Sequence, residues 1–212
     1  MPLPLRKIEC IGNSITCGAS ADESQIPCGK GVWQDQHNAY LAYGPTAARA
    51  LNAQYHLSSV SGIGLMHSCC NLPILMPQVY NKVSMRDDSI QWNFNNYTPD
   101  IVTICLGQND GIQDSAAFCN NYVSFVKQVR GHYPAAKIIL LTSPMADEKL
   151  KTFMQITLAT VVQLVHKSGD QQLWMYTFKK RYYKGCDTHP NVEEHQEIAK
   201  ELTAFIQTTF KW

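Results

Sequence analysis

Lys7-Ile8-Glu9-Cys10-Ile11 runs directly into Gly12-Asn13-Ser14-Ile15-Thr16. A short apolar run followed by glycine and small polar residues reads as a strand ending in a tight turn, with a serine hydroxyl presented at its carboxyl end. Similar apolar runs recur at residues 55–60, 101–106, 137–141 and 173–176. Between them lie stretches of helical period at residues 39–51, 114–129, 149–166 and 192–210. In the second of these, Asp114 stands at the cap, and Phe118, Tyr122, Phe125, Val126 and Val129 fall on one face. Strands alternating with amphipathic helices specify βαβ units around a parallel sheet. The predicted fold is α/β: a three-layer α/β/α sandwich with a five-stranded parallel sheet.

The 212 residues suit a single domain spanning positions 1–212, and no internal repeat or linker divides them. With 18 Lys plus Arg against 17 Asp plus Glu, the formal charge of +1 supplies no field for gathering nucleic acid or anionic lipid. A neutral substrate is expected, with no nucleic-acid or membrane partner. No apolar run approaches the roughly 18 residues of a membrane span, and Met1-Pro2-Leu3-Pro4 lacks the apolar core of a secretory signal. The expectation is a cytoplasmic protein, or a secreted or periplasmic one whose signal peptide has been removed. The eight cysteines contain no C-x-x-C pair, so no metal site is expected. Cys10 and Cys105 fall in apolar runs and read as small hydrophobes, leaving one or two surface disulfides open among the others.

Two segments follow neither period. Residues 18–38 are polar, hold Pro27, Gly29 and Gly31, and leave directly from Ser14. A loop of that length is expected to form a wall of a functional cleft. Residues 81–99, with Trp92, Phe94 and Tyr97, are expected to edge the same cleft.

In parallel α/β sheets, ligands bind beyond the carboxyl ends of the strands. Ser14 follows the first strand, Gly62 the second and Asn109 the third, while Gly185-Cys186-Asp187-Thr188-His189-Pro190 lies between the fifth strand and the last helix. Each fragment alone reads as a strand-ending turn; their shared edge suggests chemistry. A serine hydroxyl needs a neighbouring base, for which His189 is the candidate, with Asp187 as its acid. Ser14 and Gly62 offer backbone N–H groups and Asn109 a side-chain N–H for an oxyanion. The parts are those of acyl transfer. The other six histidines, His195 included, lack such a setting and read as surface or satisfied core residues.

These motifs resemble the SGNH or GDSL-type hydrolase superfamily, in which Ser, Gly, Asn and His come from four blocks on a flavodoxin-like sandwich; here they are Ser14, Gly62, Asn109 and His189. Lys7-Ile8-Glu9, Ala42-Tyr43, Ala48-Arg49-Ala50-Leu51 and Ser61-Gly62-Ile63-Gly64-Leu65 make the chain most similar to the catalytic domain of carbohydrate esterase family 2. The resemblance implies removal of O-acetyl groups from plant carbohydrates through an acyl-enzyme on Ser14, as acetyl xylan esterases do, without cofactor. Asn13 stands where the first block usually carries Asp, and Asp187 precedes His189 by two residues where the superfamily has three. The family 2 resemblance implies either a triad or a dyad whose histidine is steered by a backbone carbonyl. Family 2 enzymes commonly place a β-sandwich before the catalytic domain, and with five residues ahead of the first block the expectation is either that such a domain has been removed or that this is a single-domain relative.

Trp33, Trp92 and Met66 are candidate substrate-binding residues. A rival is a lipase or thioesterase with an apolar trough built from Leu65, Met66, Leu72, Ile74, Leu75 and Met76, whose spacing also suits plain packing. Another is a catalytically silent carbohydrate-binding domain.

Overall fold

The computed structural model describes residues 2–86 and 90–212. Met1 and residues 87–89 of the second irregular stretch lie outside them. The five expected strands are present: β1 Arg6–Gly12, β2 Ala53–Ser59, β3 Ile101–Cys105, β4 Lys137–Leu141 and β5 Leu173–Tyr176. They pair in the order β2-β1-β3-β4-β5, every neighbour parallel. This is the flavodoxin-like order, in which the chain builds outward from β1 in both directions. β2 begins two residues before the expected start, because its ladder with β1 runs unbroken from Arg6↔Ala53 to Gly12↔Ser59.

The strands alternate sides, so each face of the sheet buries its own core. On one face, Ile11, Val102, Ile104, Ile138 and Leu140 meet α4 (Ser115–His132) and α5 (Glu148–Lys167) through Phe118, Tyr122, Phe125, Met154, Leu158 and Val161. On the other, Ile8, Cys10, Ile101, Cys105, Ile139 and Leu141 meet α2 (Tyr43–Ala50) and α6 (Val192–Phe210) through Tyr43, Ala47, Ile198, Leu202 and Ile206. Cys10 and Cys105 are buried thiols among aliphatic side chains, and burial pushes both up to about 12. They act as hydrophobes. Asp114, Asp147 and Asn191 start α4, α5 and α6 by accepting from the N–H three residues on.

The predicted helix over 39–51 divides into a 3₁₀ turn, Ala39–Leu41, and α2, with Ala42 extended between them. Pro45 is the cause. It has no N–H to give the Leu41 carbonyl, which accepts instead from Thr46 Oγ1 at 3.3 Å. Two one-turn helices carry no sequence period: α1 (Ser14–Cys17) and α3 (Met76–Val79).

Candidate active site

The chain reverses its direction of growth across the sheet at β1 and β3, and a crevice opens there at the carboxyl ends. Gly12 and Cys105 are partners in register at that edge, which sets Ser14 and Asn109 beside the same gap. Gly12 must lack a side chain, since a Cβ there would lie 2.1 Å from Thr16 Oγ1. Asn13 then caps α1, its Oδ1 accepting from Ile15 N at 3.2 Å, and Ser14 becomes the first residue of the helix. A first-turn N–H has no acceptor within its own helix, which leaves the Ser14 amide available to a ligand.

Ser14 Oγ lies 3.0 Å from His189 Nε2. His189 Nδ1 lies 3.1 Å from the backbone carbonyl of Asp187. A carbonyl only accepts, so Nδ1 carries the ring proton and Nε2 is left to accept from the serine. Burial lowers the His189 pKa below its ordinary 6.5, against the opposing pull of the Asp187 carbonyl and charge. The ring is therefore neutral at pH 7, with Nε2 open to a proton. The Asp187 carboxylate, expected on Nδ1, instead accepts from Trp33 Nε1 at 3.0 Å. The reason is the backbone: Asp187 and Thr188 both take left-handed conformations, φ 51° and 60°, which turn the carbonyl toward the ring and the carboxylate away.

That turn is costly, about 1–3 kcal/mol for each such non-glycine residue, so the surroundings must hold it. Two side-chain ties come from the loop at 18–38. One is the Trp33–Asp187 bond; the other is a disulfide, Cys28–Cys186, which joins residues 158 apart in sequence. Gly185 N donates to His189 O, and Cys186 N donates to Ser20 O at 3.0 Å. The loop thus forms a wall, as expected, and anchors the histidine turn as well. Glu23, Cys28 and Cys186 are the one metal-sized grouping of His, Cys, Asp and Glu among the described residues, and the disulfide removes both thiolates.

Across the cleft, Gly62 has φ 87°, a conformation that favours glycine, and Asn109 donates through Nδ2 to Ile63 O at 2.8 Å. One amide hydrogen of Asn109 remains for a ligand. Behind them is Asp110, only 3% exposed, whose carboxylate accepts from Leu65 N at 3.0 Å, Met66 N at 2.7 Å and His67 N at 2.9 Å. One carboxylate thereby fixes the glycine turn to the asparagine block. Ser14, Gly62, Asn109, His189 and Trp33 line a single cleft of about 400 Å³.

The GDSL-like lipase/acylhydrolase family matches residues 10–197. The chain belongs to that family. It is 31% identical to the cellulase/esterase CelE of Acetivibrio thermocellus over its full length, covering 26% of that protein. It is 28% identical to an acetylxylan esterase/glucomannan deacetylase of Cellvibrio japonicus, covering 99% of this chain and 59% of that protein. Among solved structures, a family two carbohydrate esterase from Clostridium thermocellum in complex with cellohexaose aligns over the whole chain and 66% of its own, at TM-score 0.90 and 30% identity. A family two carbohydrate esterase from Cellvibrio japonicus aligns over the whole chain and 63% of its own, at TM-score 0.90 and 27% identity. The chain spans about a quarter of the first relative and about three fifths of the second.

Of the three substrate-binding candidates, Trp33 lines the cleft and the other two lie outside it. Trp92 stacks on His56, ring centroids 5.2 Å apart, and lines a neighbouring cavity of about 680 Å³ that shares Trp33, Ser61 and Arg86 with the cleft. Met66 packs against the α4/α5 core. The six residues of the apolar trough are mostly committed to packing: Leu65 and Met76 are buried, Met66 and Ile74 lie against the same core, and Leu72 reaches the cleft. Phe94 stacks on His132 at 3.6 Å and Tyr97 donates to Ile8 O, so both pin their loop. His195 is fully buried and accepts from Tyr43 N at 3.1 Å; burial lowers its pKa to about 3, which keeps it uncharged behind His189. Asp110 and the pairing of Cys28 with Cys186 were not singled out from sequence. The signal for Asp110 was its place beside Asn109; the disulfide had none.

Proposed function

We propose that this chain is a serine esterase that removes O-acetyl groups from carbohydrates, polysaccharide or oligosaccharide, with Ser14 as nucleophile. The observation that carries the reading is the 3.0 Å approach of Ser14 Oγ to a neutral His189 inside a cleft walled by Gly62 and Asn109. As the hydroxyl attacks the acetyl carbonyl, Nε2 takes its proton, and the Ser14 and Gly62 amides with Asn109 Nδ2 receive the oxyanion. Each such donor is worth about 3–4 kcal/mol of barrier. His189 returns the proton to the leaving sugar hydroxyl, and water then cleaves the acetyl-enzyme with His189 again as base. Asp187 works through its main chain: the carbonyl steers the ring, making Ser14 and His189 a dyad, while the carboxylate sets Trp33 at the rim. The 41% exposed Trp33 indole gives a sugar ring a face to stack on.

The names of the relatives supply the substrate class, and the packing of the would-be trough favours a short acyl group over a long one. The test is acetate release from acetylated xylan and acetylated glucomannan, beside p-nitrophenyl esters of increasing chain length. Acetate release that vanishes in Ser14→Ala, with turnover dropping steeply from acetate to butyrate, is the expected result. Absence of fluorophosphonate labelling at Ser14 would show a silent binding protein, and equal turnover of long esters would show a lipase.

A further inference from the structure

Cys69 and Cys70 have no part in the chemistry above, yet both line the cleft that holds Ser14 and His189. Adjacent side chains of an extended chain point to opposite sides. Here Cys70 and Asn71 are left-handed, φ 62° and 56°, and the turn is closed by Cys69 N on Gly62 O at 2.9 Å and Leu72 N on Cys69 O at 3.1 Å. The fold thus brings two neighbouring cysteines to one cavity. Cys70 is exposed and Cys69 half-buried. Cys69 Sγ also lies over the oxyanion glycine, where a Cβ built on Gly62 would be 3.3 Å from the sulfur.

We propose that Cys69 and Cys70 form a two-thiol site in the wall of the ester cleft, one that takes a thiophilic centre of the trivalent arsenic class and closes the cleft when filled. Sulfur ligands select soft centres, and two thiols on one turn bind such a centre as a chelate. With an organic arsenoxide, two S–H bonds break and two As–S bonds form. Both protons leave with the oxide oxygen as water, and arsenic stays trivalent. Burial, aided by the Cys70 thiol, pushes Cys69 up to about 11 and keeps it in the protonated form that this condensation consumes. The other free cysteines offer no such pair to solvent: Cys10, Cys105 and Cys119 are buried, and Cys17 is part-buried and bonded to Ser59 Oγ at 3.3 Å. A group seated on Cys69 stands against Gly62, where the oxyanion would form.

The effect on turnover rests on the reading of Ser14 as nucleophile; the site itself does not. The experiment treats the full chain, disulfide intact, with phenylarsine oxide. It reads intact mass under non-reducing conditions and p-nitrophenyl acetate turnover before and after treatment, in wild type, Cys69→Ser and Cys70→Ser. The expected result is one adduct on wild type with at least about a hundredfold loss of turnover, the scale of losing one oxyanion donor. Each variant should take no stable adduct and keep its own untreated rate. No adduct on wild type, an adduct that survives in either variant, or an adduct that leaves turnover unchanged would overturn the proposal. An untreated protein without turnover would count against the role of Ser14, and the mass measurement would still decide the thiol site.

Discussion

The two walls of the cleft are held in different ways. The turn bearing His189 has two left-handed non-glycine residues and is tied from far away in sequence, by the Cys28–Cys186 disulfide and the Trp33–Asp187 bond. The turn bearing Gly62 is held by one buried carboxylate, Asp110, which gathers three consecutive N–H groups. The first device constrains a strained segment near the surface, where water competes for every hydrogen bond and a covalent link does not weaken. The second is centred on a buried carboxylate, whose charge-assisted hydrogen bonds are strong and need no cross-link.

The largest effect should come from the interior wall. Asp110→Ala leaves the buried N–H of Leu65 and the part-buried N–H groups of Met66 and His67 without their acceptor and frees the Gly62 turn from Asn109. It should lower stability by about 3–5 kcal/mol and kcat by about a hundredfold. Thermal unfolding and acetyl-ester kinetics measure the two together, and a drop in stability with kcat intact would separate the carboxylate from the oxyanion wall. The covalent tie comes next. Cys28→Ser should cost about 2–4 kcal/mol of stability, and it should reduce kcat more than it alters KM, because the loosened part is the base of the proposed mechanism. Comparing the variant with dithiothreitol-treated wild type checks that the loss belongs to the bond.

Asp187→Asn is smaller and more discriminating. Asparagine tolerates the left-handed backbone and preserves the carbonyl, so kcat should fall less than about tenfold, where loss of a triad acid costs about 10⁴. A loss near that larger figure would put the carboxylate back on the histidine. The smallest effect is on pH. Because burial lowers the His189 pKa, the acid limb of kcat/KM should lie below the ordinary histidine value of 6.5, with the rate rising as the ring loses its proton and flat at neutral pH. A limb at or above 6.5 would mean that the ring is more solvated than its burial implies.

Legibility in the sequence followed the range of the interactions. Strand and helix assignments rest on local period, and all five strands and the four long helical stretches are present, the first of them broken where Pro45 denies Leu41 a donor. The convergence of Ser14, Gly62, Asn109 and His189 follows from a topological rule, since each comes after a strand of one parallel sheet. Trp92, which lies outside the cleft holding Ser14, belongs to a segment without period, and Met66 to a cluster whose spacing suited packing as well as a trough. There, aromatic and apolar residues serve a cleft or a core equally well, and a neighbour such as His56 decides between them.

Alternation and motif order in the chain alone therefore determined the layers, the strand count and the four blocks that meet at one rim. Tertiary structure alone decided how the histidine is aimed. Whether a carboxylate or a carbonyl faces Nδ1 depends on two left-handed residues, held by a cysteine and a tryptophan more than 150 positions earlier. Such backbone conformations persist only where distant contacts stabilise them, and no local pattern of residues records those contacts.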